Sequence, residues 1–261
     1  MNQMLKDKKI VIAGAGGLLG ASVVKSILEA GGSVVATDVS LEHLKARLSS
    51  VGVNLADTHL TMHELDITRS DDLTRFWQEA EGVTGAVNCT YPRTKSYGAK
   101  FFDVTLDSFN ENVSIHLGSA FLFAQQCAAY FVNKEQPFSL VNISSIYGVI
   151  APKFSVYDNT PMTMPVEYAA IKSAIVHLNK YVVSYINDSR FRVNSVSPGG
   201  ILDGQPEAFL DAYRKNTHGA GMLNVEEMTG SIVYLLSDQS KYVTGQNIIV
   251  DDGFSLKHTL R

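Results

Sequence analysis

The sequence predicts an α/β protein with one domain, residues 1–261, in which a doubly wound, seven-stranded parallel sheet carries helices on both faces. Short β-branched runs alternate with helical patterns along the chain, which is typical of parallel strands joined by crossover helices. The length of 261 residues suits one large α/β domain. No repeat, low-complexity tract or linker rich in Pro, Gly or Ser divides the chain, so one domain is the simplest interpretation.

Seven runs have the length and the apolar, β-branched character of buried strands. They are KKIVIAG (8–14), SVVATD (33–38), LTMHELD (60–66), GAVNCT (85–90), FSLVNISS (138–145), FRVNSVSP (191–198) and QNIIVDD (246–252). Helical patterns occupy 17–31, 40–50, 70–80, 106–133 and 167–187. A helix follows each of the first three strands, so the order of elements favours parallel pairing.

Composition excludes several classes of protein. Hydrophobic residues make up 45% and charged residues 18% of the chain, and the net charge of −4 argues against a nucleic-acid surface or a basic membrane patch. Cys89 and Cys127 are too few for a disulfide framework and fit a reducing compartment. The N-terminus lacks the long apolar core of a signal peptide, and we expect no apolar stretch of membrane-spanning length. We therefore expect a cytoplasmic protein.

A glycine-rich turn follows the first strand. In GAGGLLG, Gly14, Gly17 and Gly20 leave room for a pyrophosphate to approach the backbone amides at the start of a helix. Leu18 and Leu19 belong to the same turn and are expected to contact the cofactor. A glycine motif alone is weak, but its place between a strand and a helix predicts a Rossmann-type dinucleotide site.

Acidic residues after the second and third strands indicate which dinucleotide binds. Asp38 ends the second strand, where a carboxylate accepts hydrogen bonds from the adenosine ribose and repels a 2′-phosphate. No Lys or Arg follows before Lys45, so the sequence favours NAD over NADP. Asp38 could instead be a helix-capping or turn residue. Asp66 could meet the adenine amino group, or could be a turn aspartate.

A tyrosine and a lysine lie four residues apart in PVEYAAIKSA (165–174). At helical spacing Tyr168 and Lys172 share one face. An ammonium group beside a phenol favours the phenolate, so we expect the pKa of Tyr168 to be lowered. Such a pair can accept and return a proton, although an ordinary exposed Tyr/Lys pair has the same spacing.

Eight motifs in order resemble the short-chain dehydrogenase/reductase family over nearly the whole chain. They are the glycine loop, Asp38, Asp66-Ile67, VNCT (87–90), ISSIYG (143–148), YAAIK (168–172), RVNSVSPGG (192–200) and VTGQNIIVDDG (243–253). The resemblance implies that Ser145 and Tyr168 bind the reacting oxygen, that Tyr168 is the general acid/base, and that Lys172 holds the nicotinamide ribose. The remaining contacts that it implies with the cofactor come from Ile67, Asn88, Cys89, Pro198, Gly199 and Ile201.

Four positions depart from the family pattern. Leu18 replaces a glycine, so the loop spacing is similar to that of the extended, sugar-nucleotide-modifying branch. Tyr91 replaces the last residue of NNAG and would crowd or wall the pocket. His116 stands where the family often has asparagine, one turn after Asn112; it could relay protons from Lys172 and titrate near neutrality, or be a packed core residue. Asp203 replaces a hydroxyl residue, which puts a contact with the nicotinamide amide in doubt.

Three loops are expected to surround the substrate, at about 91–101, 150–167 and 201–223. The first carries basic residues that could bind a phosphate or carboxylate, or could simply be solvated. The second is an insert that could form a longer pocket wall or a subunit contact. The third has the glycine-flanked pattern of a lid. The resemblance implies that helices 106–133 and 167–187 pair across a two-fold axis, giving a homodimer or homotetramer.

Within the family, the motifs look closest to bacterial flagellin-modification oxidoreductases. The sequence therefore predicts NAD-dependent hydride transfer at a carbohydrate hydroxyl or ketone, on a phosphorylated or nucleotide-linked sugar of nonulosonic acid pathways. Two alternatives stay open: a sugar epimerase or dehydratase that retains its NAD, and a non-catalytic NAD-binding protein. The chain has no HExxH, CxxC or paired histidine ligands and no GxSxG elbow, so neither a metal site nor a serine hydrolase is expected.

Overall fold

All seven predicted strands are present in the computed structural model, which describes residues 3–257. They are β1 (Lys9–Ala13), β2 (Ser33–Asp38), β3 (Leu60–Glu64), β4 (Gly85–Asn88), β5 (Phe138–Ile143), β6 (Phe191–Pro198) and β7 (Asn247–Val250). Every pair is parallel, and the order across the sheet is β3-β2-β1-β4-β5-β6-β7. The predicted doubly wound, seven-stranded parallel sheet is confirmed.

Within the described part of the chain, seven α-helices flank this sheet. They are α1 (Leu18–Glu29), α2 (Leu41–Ser50), α3 (Ser70–Glu79), α4 (Leu106–Lys134), α5 (Val166–Ile186), α6 (Glu207–Lys215) and α7 (Thr229–Leu236). The five predicted helices agree with α1 to α5 within a few residues at each end. The sequence patterns did not predict α6 or α7, which are the two shortest.

Alternation along the strands divides the core between the two faces of the sheet. Ile10 and Ile12 of β1 belong to the cluster that includes α1, α2 and α7. Val11, between them, points to the other face, where the cluster includes Trp77 of α3 and Phe123 of α4. Since successive side chains of a strand point to opposite faces, a strand covered on both sides needs a continuous apolar run. That requirement explains why the strands could be read from the sequence.

The chain order creates a crevice beside β1. The chain passes from β1 outwards to β2 and β3, and then returns to β4 on the other side of β1. In open α/β sheets, ligands bind at such a switch point, outside the carboxyl ends of the strands. The loops after β1 and β4 begin here, and the Cys89 amide extends the ladder by donating to the Ala13 carbonyl at 2.9 Å.

Helix α4 corrects one sequence expectation. By length and composition alone it could cross a membrane, since it contains an 18-residue window of mean hydropathy 1.2. Half of that window is buried inside the domain, where Phe123, Cys127 and Phe131 pack in the second core cluster. The helix is apolar because it lies between the sheet and its neighbours α3 and α5.

Candidate active site

A cleft of about 840 Å³ opens at the carboxyl edge of the sheet. Predicted cofactor residues from six separate motifs line it: Gly14, Gly17, Leu18, Leu19, Gly20, Asp38, Asp66, Ile67, Cys89, Tyr168, Lys172, Pro198 and Ile201. Residues that the sequence did not single out line it as well, namely Val39, Leu65, Thr68, Thr90, Pro92, Ile115, Ile143 and Ser144. The fold thus brings the glycine turn and the Tyr/Lys pair to one cavity.

The glycine turn forms a cradle that side chains would fill. Gly14 has φ +77°, and a Cβ there would lie 3.1 Å from the Thr90 backbone. A Cβ on Gly20 would overlap the Gly14 carbonyl oxygen, so α1 can approach β1 only through a glycine. Gly17 caps α1 without a side-chain hydrogen bond, which leaves the amides of the first turn available to an anion. These features fit the pyrophosphate of a dinucleotide.

Asp38 is held at the cleft by the turn itself. Its Oδ2 accepts a hydrogen bond from the Gly16 amide at 2.8 Å, and a Cβ on Gly16 would lie 2.9 Å from that oxygen. The sequence analysis did not assign a role to Gly16. Ser40, rather than Asp38, caps α2 by accepting from the His43 amide. The capping alternative for Asp38 is therefore wrong, and its carboxylate lines the cleft.

Two other polar residues shape the loops. Asp66 Oδ1 accepts hydrogen bonds from the Thr68 amide at 2.9 Å and from the Thr68 hydroxyl at 2.7 Å. Asn88 Oδ1 binds the amide and hydroxyl of Thr90 in the same way, at 3.1 and 2.7 Å. Asp66 lines the cleft, but Asn88 is buried behind its wall and supports the turn. The predicted contact of Asn88 with a cofactor stays a prediction.

Gly199 lies behind the wall as well. Its amide donates to the Val250 carbonyl at 2.8 Å, and a Cβ there would lie 2.6 Å from the Tyr213 hydroxyl oxygen. Its neighbours Pro198 and Ile201 do line the cleft. After β6 the chain passes close to both Val250 of β7 and Tyr213 of α6, and Gly199 leaves room for this passage because it has no side chain. It does not line the cavity.

Close packing between β5 and α5 brings Ser145 near the Tyr/Lys pair. Ser144 Oγ donates to the Lys172 carbonyl at 2.8 Å. A Cβ on Gly148 would lie 2.7 Å from the same carbonyl group, so only glycine lets α5 come this near. Ser145 itself begins the short 3-10 turn Ile146–Gly148, and its hydroxyl accepts from the Tyr147 amide at 3.1 Å. The ISSIYG motif therefore acts as a docking surface for α5.

Tyr168 and Lys172 lie side by side on α5, where Lys172 is buried and Tyr168 is half-buried. Lys172 Nζ lies 5.6 Å from the centre of the Tyr168 ring and donates to the Ile143 carbonyl at 2.9 Å. Burial raises the pKa of Tyr168, and the Ser145 side chain opposes that rise. Burial also lowers the pKa of Lys172 to about 8. The expectation that the pKa of Tyr168 is lowered is wrong for the protein alone, because loss of solvation raises it and the opposing effect of Ser145 is smaller.

His116 is neutral at this site. It is 2% exposed, and burial, with a contribution from Lys172, lowers its pKa to about 3. The expected titration near neutrality is therefore wrong. The imidazole instead packs at the edge of the Tyr91 ring, 5.2 Å between centres. Asn112, one turn earlier, holds the loop after β4, because its Oδ1 accepts from the Thr94 amide at 3.0 Å.

The three loops around the cleft differ in which of their residues line it. Of the three basic residues expected in the first loop, Arg93 lines the cleft whereas Lys95 and Lys100 are exposed outside it. The insert and the third loop pack on each other, since the Tyr157 and Phe209 rings lie 5.3 Å apart. Tyr213 of α6 also stacks on Phe254, which follows β7, at 4.5 Å. Asp203 is exposed and does not line the cleft.

The buried lysine predicts a pH-dependent stability. Because its pKa falls from 10.5 to about 8 in the folded protein, the unfolded chain binds more protons between these values, and folding becomes more favourable as the pH rises through them. Lys172→Met removes this dependence. Its free energy of unfolding, relative to the wild type, should fall by about 3 kcal/mol between pH 8 and 10.5. Urea unfolding of both proteins across this range is the measurement, and parallel curves would contradict the buried charge.

Comparisons with known proteins agree with this geometry. A family model described as Enoyl-(Acyl carrier protein) reductase matches residues 14–255. Post-translational flagellin modification protein A of Campylobacter coli is 37% identical over 97% of this chain and 100% of its own. The 7alpha-hydroxysteroid dehydrogenase of Bacteroides fragilis is 26% identical over 96% of this chain and 95% of its own.

Solved structures share the fold. The crystal structure of a short chain dehydrogenase from Leptospira borgpetersenii with bound NAD+ superposes with a TM-score of 0.84 at 28% identity, and covers 97% of this chain and 94% of that one. The family match spans most of the chain, and the resemblance to flagellin-modification proteins is confirmed at the level of sequence. The chain belongs to the short-chain dehydrogenase/reductase family, whose members are nicotinamide-dependent oxidoreductases.

Proposed function

We propose that this protein uses NAD to transfer a hydride between nicotinamide and a hydroxyl or ketone of an anionic sugar. The observation that carries the proposal is that Tyr168 and Lys172 line the same cleft as the glycine cradle, with the buried Ser145 side chain next to Tyr168. Oxidation of an alcohol needs a base at the hydroxyl and a hydride acceptor at the carbon. The phenol supplies the first, and the cleft has room for the second.

Each of the three side chains has a separate task. Tyr168 accepts the hydroxyl proton during oxidation and returns it during reduction. Ser145 holds the reacting oxygen without becoming a nucleophile. Lys172, fixed by the Ile143 carbonyl, binds the nicotinamide ribose and stabilises the phenolate. NAD bound here would supply the hydride acceptor and, when oxidised, a positive charge that would oppose the rise that burial causes in the pKa of Tyr168.

Asp38 supports NAD rather than NADP. A carboxylate at this place binds ribose hydroxyls and repels a 2′-phosphate. Asp38→Asn keeps an oxygen that can accept from the Gly16 amide but removes the charge. We expect the affinity ratio of NAD to NADP to fall about tenfold in this variant, chiefly through better binding of NADP. Calorimetric titration with both dinucleotides measures this ratio.

The affinity ratio of NAD to NADP should be lower in Asp38→Ala than in Asp38→Asn, because the Gly16 amide also loses its partner. Glu42→Gln, on the first turn of α2 and outside the cleft lining, is the matched control and should leave the ratio unchanged. NAD affinity that is the same in wild type, Asp38→Asn and Asp38→Ala would show that this carboxylate does not contact the ribose.

Two observations support an anionic sugar as the substrate. Arg93 lies at the cleft, where a guanidinium can bind phosphate or carboxylate. The Campylobacter coli relative is named for flagellin modification, which is in keeping with the sugar of a nonulosonic acid pathway that the sequence predicts. Screening sugar phosphates and nucleotide-linked sugars for NADH formation tests the assignment. Turnover restricted to uncharged alcohols would contradict it.

The GxxGxxG spacing keeps one other function in view. Leu18 stands where other short-chain members have the middle glycine of their loop. The resulting spacing is similar to that of the branch that contains epimerases and dehydratases, which retain their NAD. The same screen separates the two functions, because a dehydrogenase releases NADH while an epimerase or dehydratase returns its hydride to the sugar. An inactive protein that binds NAD would favour the non-catalytic alternative.

The proposal includes a homodimer or homotetramer in the cytoplasm. Large apolar side chains are exposed on both long helices, namely Phe121 of α4 and Tyr181 and Tyr185 of α5. Such surfaces favour association when two copies can cover them. Cys89 and Cys127 are free thiols, in keeping with a reducing compartment.

A further inference from the structure

Tyr91 lies in the wall of the cleft, among Tyr168, His116 and Lys172. The centre of its ring lies 5.6 Å from that of Tyr168 and 5.2 Å from that of His116, in edge-on contacts. Lys172 Nζ lies 5.6 Å from the same ring and Arg93 Cζ lies 5.1 Å from it. The side chain is 36% exposed and lines the cleft. It therefore faces whatever the cleft binds beside Tyr168.

The hydroxyl of Tyr91 is paired with that of Tyr97, and either hydroxyl can donate in such a pair. The neighbouring guanidinium of Arg93 favours one of the two arrangements. Arg93, also near the Tyr91 oxygen, can only donate. The Tyr91 oxygen thus accepts from its neighbours, and its own proton is free to point into the cleft.

Both phenols keep their protons across the physiological range. Burial raises the pKa of Tyr91 to about 12. Burial, followed by the nearby Tyr91 phenol and more weakly by Glu167, holds the pKa of Tyr97 well above its usual range. The pair is consequently a stable donor and not a second base.

The loop that carries the pair is fixed to α4. Asn112 Nδ2 donates to the Thr94 hydroxyl at 3.0 Å and to the Ser108 carbonyl at 2.9 Å. Ser108 Oγ in turn donates to Ser96 Oγ at 2.8 Å. These bonds hold the middle and the C-terminal end of the segment between Tyr91 and Tyr97, which places the phenol before the substrate arrives.

We propose that Tyr91 is a specificity-determining residue that donates a hydrogen bond to the substrate hydroxyl adjacent to the reacting carbon. Two phenols in edge contact, Tyr168 and Tyr91, reach two neighbouring oxygens of one ligand. The cleft therefore selects sugars with adjacent hydroxyls over simple alcohols. This inference rests on the proposed function and extends it by naming the group that is recognised.

The test combines a change in the protein with a matching change in the substrate. Wild type and Tyr91→Phe are assayed with the sugar that turns over best in the screen and with its deoxy analogue, which lacks the hydroxyl beside the oxidised carbon. Wild-type kcat/KM should fall about tenfold with the analogue, and Tyr91→Phe should lose about tenfold with the full sugar. The analogue should cost Tyr91→Phe nothing more, since the two changes remove one interaction.

Two further variants make the result specific. Tyr97→Phe frees the Tyr91 hydroxyl to rotate away. Its kcat/KM with the full sugar should therefore lie between the values of wild type and Tyr91→Phe. Tyr242→Phe, at a tyrosine 93% exposed and outside the cleft, should behave as wild type. NAD affinity, measured in parallel, should not change in any of the three.

The outcomes distinguish a failure of this inference from a failure of the proposed function. If Tyr91→Phe discriminates between sugar and analogue as strongly as the wild type, the inference is wrong and the proposed function stands. Loss of NAD affinity in Tyr91→Phe would also overturn it, because the residue would then be part of the cofactor wall. If no sugar in the screen turns over while NAD binds, the proposed function fails first.

Discussion

Tyr168→Phe is expected to lower kcat by at least about a hundredfold while leaving NAD affinity unchanged. The variant keeps the ring, so its edge contact with Tyr91 at 5.6 Å and its packing on α5 persist. It removes the hydroxyl that exchanges the proton with the substrate. Initial rates of NADH formation and calorimetric titration with NAD measure the two quantities separately.

Tyr242→Phe is the matched control for this experiment. It makes the same chemical change at a side chain that is 93% exposed and outside the cleft. Its rate should equal that of the wild type. A Tyr168→Phe protein that turns over at the wild-type rate would remove this phenol from the reaction and would leave Ser145 and Lys172 without their assigned partner.

Gly20→Ala is expected to destabilise the protein by about 1–3 kcal/mol or more and to weaken NAD binding at least about tenfold. A Cβ at this position would overlap the Gly14 carbonyl oxygen and lie 2.8 Å from the Ala15 Cα. Both neighbours are backbone, so α1 must move away from β1. That movement displaces the amides at the start of α1, which form the cradle. Urea unfolding and NAD titration measure the two effects.

Gly118→Ala tests whether the effect belongs to the site or to the substitution. Gly118 lies within α4, where an added Cβ would meet nothing within 4 Å. Alanine there should stabilise the protein by about 0.5–1 kcal/mol, because alanine is the better helix former. If Gly20→Ala unfolded at the same urea concentration as the wild type and bound NAD equally well, the close approach of α1 would not be required.

The sheet could be predicted from the sequence because parallel strands buried on both faces leave a local record. Ile10, Val11 and Ile12 are apolar in succession, and each lies in one of the two core clusters. Helix α6 left no such record. It was interpreted as part of a lid, and its helical face is set by Phe209 and Tyr213 packing on Tyr157 and Phe254. Those partners are distant in sequence.

The site was predictable in position more than in electrostatics. Helical spacing placed Tyr168 and Lys172 together, and strand ends placed Asp38 and Asp66 at the same edge. The pKa directions of Tyr168 and His116 were wrong because they depend on how deeply each group is buried. Burial arises from α4, α5 and the loop after β4 meeting in space, which spacing along the chain does not reveal.

Tyr91 was predicted in position, but its contacts could not be predicted from the sequence. The sequence marked it as a departure that would wall the pocket, and the structure places it in the lining. Its contact with Tyr97 depends on how the loop folds back, and that fold depends on Asn112. Asn112 appeared in the sequence only as a neighbour of His116, so its role in the loop required the structure.

The most direct test of the central claim is the fate of the hydrogen on the oxidised carbon. The sugar that turns over best in the screen would be prepared with deuterium at that carbon and incubated with wild-type protein and unlabelled NAD. Mass spectrometry of the released dinucleotide should then show one deuterium per NADH formed. Deuterium that stays in the sugar product, with no labelled NADH released, would contradict a dehydrogenase and favour an enzyme that retains its cofactor.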